Sequence, residues 1–305
     1  MKASEIKKYL ILLVGPTAVG KTALSIKLAK KFNTEIISSD SRQFYREMEI
    51  GTAKPTKEEL AEAPHRLINT KSIHDEYDVK QFEKDALEIL SEIFEHNNVA
   101  IMTGGSGLFA DVITKGMDEM PEIPINYRKS VIQDYEINGL TFLQEEVEKI
   151  DPAYFQQVDK RNPQRLMRAL EVFRATGKTF SSFRTKNVIH RPFQIIPIAL
   201  SLPREQLYER INKRMDQMIS EGLFEEAEKL FPFRHLNALQ TVGYSEIFEF
   251  INGAYDREET IRLLKRNSRR YAKRQLTWFK KDNTIQWFSP LEFNQIVDCI
   301  VDQMD

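Results

Sequence analysis

Eight residues, Gly15-Pro16-Thr17-Ala18-Val19-Gly20-Lys21-Thr22, constrain this chain more than any other stretch. They match the phosphate-binding pattern G-x-x-x-x-G-K-T, and they join an apolar run at residues 9–14 to a helical pattern at residues 22–32. A glycine-rich turn between a buried strand and a helix points its backbone N–H groups inward. The helix N-terminus then adds positive potential for an anion. In such a P-loop Lys21 reaches terminal phosphate oxygens and the Thr22 hydroxyl is placed to hold Mg2+.

The pattern beyond the loop supports an α/β domain. A short strand is expected at residues 35–38, leading into Ser39-Asp40-Ser41. Residues 81–96 place Phe82, Ala86, Leu87, Ile89, Leu90, Ile93 and Phe94 on one face at helical spacing. Residues 99–102 read as a third strand, followed by Thr103-Gly104-Gly105-Ser106-Gly107. Strands alternating with helices predict a P-loop parallel-sheet core with helices on both faces. After Gly116 the pattern changes to a proline-bearing acidic linker and then helices, before an apolar strand at residues 194–201. We therefore expect a core made of residues 1–117 and 194–305, with an inserted helical domain at 118–193. Helices should fill 204–280, with a last strand at 284–288 and a helix from Leu291.

The longest apolar run near the start, Leu10-Ile11-Leu12-Leu13-Val14, is far below the roughly 20 residues of a membrane helix. Lys2, Lys7 and Lys8 precede it, but it runs straight into the P-loop with no small-residue cleavage site, so no signal peptide is expected. The single cysteine, Cys299, rules out an intramolecular disulfide and a multi-cysteine zinc site. A cytoplasmic, monomeric protein away from membranes is the expectation.

The formal net charge of −1 hides a segregation. Residues 160–191 hold nine Lys/Arg, Lys186 among them, against one acid, Glu171. Residues 262–281 hold nine more and no acid. Clustering of this kind suits either a polyanion partner or solvated helix faces. Tyr271, Trp278 and Phe279 lie among the second set, either as stacking platforms for bases or as core. Asp40, at a strand end beside the P-loop, is placed to be a metal ligand, a general base or a helix N-cap. The 104–107 loop either approaches the same ligand or is a tight turn. An ordinary nucleotide hydrolase also needs an apolar strand ending in a metal-binding Asp, and the third strand ends in Thr-Gly-Gly-Ser instead.

Taken together, GPTAVGKT, DSRQFYREMEIGTAKP (residues 40–55), HRLIN (65–69), GGSGLF (104–109), NPQRLMRALEV (162–172), VGYSEI (242–247) and RRYAKRQLTWFKK (269–281) resemble the tRNA dimethylallyltransferase, or tRNA isopentenyltransferase, family. The order is the family's and spans nearly the whole chain. Four positions depart from the usual pattern: Ser106 and Phe109 stand for Thr and Tyr, and Arg66 and Asn69 for His and Asp.

The resemblance implies transfer of a dimethylallyl group from dimethylallyl diphosphate to the exocyclic amine of the adenosine 3′ of the anticodon, in tRNAs reading codons that begin with U. The P-loop, residues 15–22, would hold the diphosphate with Mg2+ at Thr22. Lys21 and Arg214 would stabilise charge on the leaving group, and Asp40 would be the general base. Thr17 and Ser106 would position the donor and the target base. The tRNA anticodon stem-loop would be met by Asp40, Ser41, Arg42, Gln43, Ser106, Arg128, Gln164, Arg165, Leu166, Met167 and Arg168. Three rivals use fewer of these features. A P-loop kinase for a small metabolite leaves both basic segments idle, a prenyltransferase of free adenine nucleotides needs no long phosphate track, and a non-enzymatic RNA-binding protein leaves the P-loop unexplained.

Overall fold

The computed structural model describes residues 7–185 and 189–304, so Lys2 and Lys186 lie outside the described residues. The chain divides into two compact units, Met1–Lys115 with His190–Asp305, and Gly116–Ile189. The break falls a few residues from the expected 118 and 193. Residues 190–193 go with the first unit because Arg191 donates to the carbonyls of Ile113 (2.9 Å) and Val112 (2.7 Å) and pairs with Glu83.

The first unit opens with β1 (Tyr9–Val14), α1 (Lys21–Phe32), β2 (Ile36–Ser38), α2 (Lys57–Glu62), β3 (His65–Arg66), α3 (Val79–His96), β4 (Val99–Gly104) and α4 (Gly107–Lys115). The second unit holds α5 (Ile125–Ile150), α6 (Pro152–Phe155) and α7 (Pro163–Thr176). The first unit then resumes with β5 (Gln194–Leu200), α8 (Arg204–Ser220), α9 (Leu223–Leu230), α10 (Ser245–Ile251), α11 (Arg257–Phe279), β6 (Gln286–Phe288) and α12 (Phe293–Asp302).

The six strands form one sheet in the order β3-β2-β4-β1-β5-β6, and every pairing is parallel. All six residues of β1 are buried. Successive side chains of a strand point to opposite faces, so both faces of the sheet are covered at its centre. The register places Val14 opposite Gly104 and Ser38 opposite Thr103. The loops after β1, β2 and β4 therefore leave three adjacent strands at one edge, the carboxyl edge where open α/β sheets bind ligands. β4 runs two residues beyond the expected strand, because Thr103 and Gly104 keep pairing and the Thr103 carbonyl accepts from Ser39 N–H at 2.8 Å. β3 was not legible in sequence. It is two residues long, too short for any periodicity.

Among the described residues, two core clusters of this unit bear on the site. One lies at the sheet, with Ile11, Leu13, Leu24, Leu28 and Ile101 among its buried residues. The other gathers Met215, Phe224, Leu239, Tyr244 and Phe248 against Tyr45 and Met48 from the segment after β2. α8, which carries Arg214, takes part in both, through Leu207 and Ile211 in the first and Met215 and Met218 in the second.

The second unit is helical. α5 is kinked at Gly139, whose φ of 73° lies outside the helical region. α7 begins at an Asn162 cap that accepts the Arg165 N–H at 3.3 Å, with Pro163 in its first turn. Val131, Leu143, Val147, Tyr154, Leu166, Met167 and Leu170 form its core. Among the described residues no helix is long and apolar enough to cross a membrane.

Candidate active site

The P-loop makes the floor. Lys21 Nζ donates to the carbonyls of Gly15 (2.9 Å) and Pro16 (2.8 Å), which folds the side chain back over the loop. Burial pulls its ammonium down to about 8; Asp40 opposes that shift and Arg214 adds to it. The charged form dominates below pH 8 and is lost above it, so inorganic diphosphate should bind more weakly as pH rises through that value. Titration calorimetry across pH 7–9 checks this, because Lys21→Arg keeps its charge and should flatten the profile. An identical slope in both proteins would remove Lys21 as its cause.

Asp40 follows β2 by two residues. The segment after it is a series of turns and not a helix, so the N-cap reading is corrected. The carboxylate Oδ1 accepts the Arg42 N–H at 3.0 Å, which pins the turn and leaves the other oxygen free of any hydrogen bond among the described residues. Arg42 donates to the Asn237 carbonyl at 3.0 Å, and burial lowers its pKa while Tyr45, Asp40 and Tyr271 oppose that shift. Gln43 accepts from Ser38 Oγ at 3.0 Å and donates to the carbonyls of Thr52 and Ala53. Ser41 is half-buried on the same turn.

Arg214 comes in from α8. One guanidinium nitrogen lies 3.2 Å from Thr17 Oγ1 and another 3.2 Å from the Ala53 carbonyl. Burial lowers its pKa and the Asp40 carboxylate opposes that first. The half-buried Asp40 carboxylate, two cations and the Thr17 hydroxyl thus converge at the mouths of β1 and β2.

The segment that presents Ala53 is held by residues the sequence reading did not single out. Glu226 accepts the N–H groups of Glu49 (3.0 Å), Ile50 (2.9 Å) and Gly51 (2.9 Å), and the Tyr244 hydroxyl at 2.6 Å. Gly51 lies flat against the Tyr244 ring, where an added Cβ would fall 2.4 Å from a ring carbon, so only glycine fits. This accounts for the tyrosine of VGYSEI in packing terms. Glu226 itself leaves no sequence signal, being one acid among several on an amphipathic helix.

Ser106 sits at the start of α4, where its carbonyl accepts the Ala110 N–H at 3.1 Å. The loop around it packs closely on α11: a Cβ at Gly105 would fall 2.1 Å from Gln275 Nε2 and one at Gly107 2.2 Å from a Trp278 ring carbon. Of the three aromatics, Phe279 is core at 3% exposure. Trp278 donates Nε1–H to Asp111 at 3.0 Å. Tyr271 is pushed up by burial first and then by the Asp40 carboxylate. Several cations of α11 are spent locally: Arg262 on Glu259, Lys265 on Asp216 and Arg269 on Asn212. Arg270, Lys273, Arg274, Lys280 and Lys281 are exposed.

In the second unit, Gln164 and Arg165 are exposed at the start of α7. Leu166 and Met167, expected as tRNA contacts, are 0% and 4% exposed and belong to the core, so their side chains do not offer a surface. Arg128 and Arg168 both pair with Glu171, at 3.6 and 3.3 Å. Glu171 is 2% exposed, and a carboxylate so buried requires such partners.

Three of the departures lie in the scaffold. Phe109 packs against Phe82 and Phe44, with ring centroids 4.7 and 5.7 Å away. Arg66 pairs with Glu35 at 2.6 Å, and Asn69 accepts from Lys54 at 2.5 Å.

For a metal, the described residues hold no group of three or more His, Cys, Asp or Glu that could bind one. The half-buried Thr22 hydroxyl, with no hydrogen bond among the described residues, fits an ion carried mainly by phosphate oxygens, the usual habit of Mg2+.

The IPP transferase family model matches residues 43–282. The tRNA dimethylallyltransferase of Cytophaga hutchinsonii is 50% identical over 97% of this chain and 98% of its own. That of Christiangramia forsetii is 50% identical over 98% of each. A crystal structure of the full-length tRNA isopentenylpyrophosphate transferase of Bacillus halodurans superposes with a TM-score of 0.73 at 37% identity, covering 98% of this chain and 97% of that one.

Proposed function

Because the chain belongs to the IPP transferase family, we propose that it transfers a dimethylallyl group from dimethylallyl diphosphate to the exocyclic amine of the adenosine 3′ of the anticodon, in tRNAs that read codons beginning with U. It is a transferase that acts on tRNA. The observation that best supports the detailed chemistry is the convergence of Asp40, Lys21 and Arg214, with Arg214 touching Thr17 at 3.2 Å.

In the proposed reaction the adenine nitrogen attacks the allylic carbon as the carbon–oxygen bond breaks. Diphosphate leaves, and the nitrogen loses a proton to Asp40. Lys21, Arg214 and the loop amides face the charge that grows on the leaving group. Thr22 would hold Mg2+ against the diphosphate, where it would neutralise part of that charge. An aryl amine is a weak nucleophile, so alignment must supply much of the acceleration. Ser106, Thr17, Ser41, Arg42 and Gln43 would orient the two substrates. A loop base can be extruded into such a site at modest cost.

The test is radiolabelled dimethylallyl diphosphate with tRNA, AMP and ATP in parallel. Label in tRNA alone is expected. Label in a free nucleotide, or a phosphoryl transfer in its place, would overturn the reading.

For tRNA affinity we assign Gln164 and Arg165 to phosphate contacts and Arg128 and Arg168 to a double role. Each neutralised phosphate adds roughly 0.7–0.9 to the slope of log affinity against log salt. Arg165→Ala should therefore make the slope shallower by about one contact with no change in melting temperature. Arg168→Ala removes a partner of Glu171 and should also destabilise by on the order of 1 kcal/mol. Arg165→Ala with an unchanged slope would remove it from the tRNA surface.

A further inference from the structure

α11 carries a side chain that joins the two loops between which the proposed transfer takes place. Gln275 is 5% exposed. Its Oε1 accepts the Thr17 N–H at 2.9 Å, and its Nε2 donates to the Gly105 carbonyl at 2.9 Å. Thr17 belongs to the diphosphate loop after β1, and Gly105 to the loop after β4 that bears Ser106. The sheet aligns the two strands as far as Val14 and Gly104. Beyond that pair no backbone hydrogen bond joins the two loops among the described residues. Gly105 has no side chain because there is no room for one: a Cβ would fall 2.1 Å from Gln275 Nε2.

We propose that Gln275 is a positioning residue that sets the spacing between the donor loop and the acceptor loop. This rests on the function proposed above. The amide suits the task because one end must accept and the other must donate, which a carboxylate or an apolar side chain cannot do. The Thr17 amide is thereby committed to α11, and Thr17 turns its hydroxyl to Arg214. Tyr271, one turn before Gln275, has its pKa raised by burial first and then by the Asp40 carboxylate. Tyr271, Gln275 and Trp278 share one face of α11, and through Gln275 that face meets the loops after β1 and β4. A rate that depends on alignment is sensitive to small changes in such a strut; a shift of about 1 Å costs on the order of 10²-fold.

The experiment compares wild type, Gln275→Met, Gln275→Glu and Gly105→Ala in single-turnover transfer to tRNA, alongside donor and tRNA affinities and melting temperatures. Gln275→Met should lose about 10–100-fold in rate at saturating substrates, with both affinities within a few-fold and the fold intact. Gln275→Glu should be slow at pH 8 and gain on wild type as pH falls, because a protonated carboxyl again offers one donor and one acceptor. Gly105→Ala keeps the glutamine but displaces its Nε2, and should reproduce the rate loss. It also decides the matter if Gln275→Met fails to fold. Wild-type rates in Gln275→Met and Gly105→Ala, a change confined to donor affinity, or loss of folding in both would overturn the strut. Wild type that labels no tRNA would instead overturn the proposed function.

Discussion

Replacing Asp40 by Asn is expected to lower the single-turnover rate of prenyl transfer by about 10²–10⁴, the usual cost of losing a positioned general base. Affinity for the anticodon stem-loop should stay within a few-fold. Asn keeps the side-chain oxygen that accepts the Arg42 N–H, so the turn at residues 40–43 should survive. What it loses is the negative charge that opposes the lowering of Lys21 and Arg214, and the oxygen that would take the proton. Without Asp40, Lys21 should lose its proton at lower pH, so the weakening of diphosphate binding should move towards neutrality. Near-wild-type single-turnover rates in this variant would take Asp40 out of the chemistry.

Arg214→Ala carries the other large effect. Its guanidinium is the only side-chain group among the described residues that hydrogen-bonds Thr17 Oγ1, and it also holds the Ala53 carbonyl. Removing a donor aimed at developing charge costs about 10²–10³ in rate. Arg214→Lys should recover only part of it, since an ammonium cannot span two acceptors with the planar fork of a guanidinium. Donor affinity should fall less than the rate, because the charge on the leaving oxygen grows as the bond breaks. If tRNA affinity alone changed, with rate and donor affinity intact, Arg214 would have to be moved from the diphosphate to the RNA.

The stability of the site also depends on parts remote from the ligand. Glu226 and Tyr244 hold residues 49–51, and through Ala53 they steady the end of Arg214 that does not meet the P-loop. Substitutions there should act on the rate through Arg214 without meeting either substrate.

How much of this was legible in sequence differs from residue to residue. The P-loop, β1 and α1 were, because a glycine-rich turn and short-range periodicity are local properties of the chain. So was the position of Asp40 at a strand end. The resemblance pointed to Arg214, and the structure then placed it against Thr17. The resemblance implies tRNA contact at Leu166 and Met167, but a motif does not say which of its residues faces inward; the α7 helix buries both while leaving Gln164 and Arg165 exposed. The charge runs showed a similar limit. Composition counted the cations, but ion pairs such as Arg168 with Glu171 and Lys265 with Asp216 decide which remain free.

By itself the sequence determined the P-loop, the strand–helix alternation and the family, all of which rest on residues that are neighbours or lie at a fixed spacing. Only the tertiary structure decided that Gln275 would meet Thr17 across 258 positions of chain, and Gly105 across 170. It likewise decided that Glu226 would close on residues 49–51 from 175 to 177 positions away. A buried polar side chain must find its partner wherever the fold brings one, and that partner is set by the packing of α8, α9 and α11 rather than by any spacing along the chain.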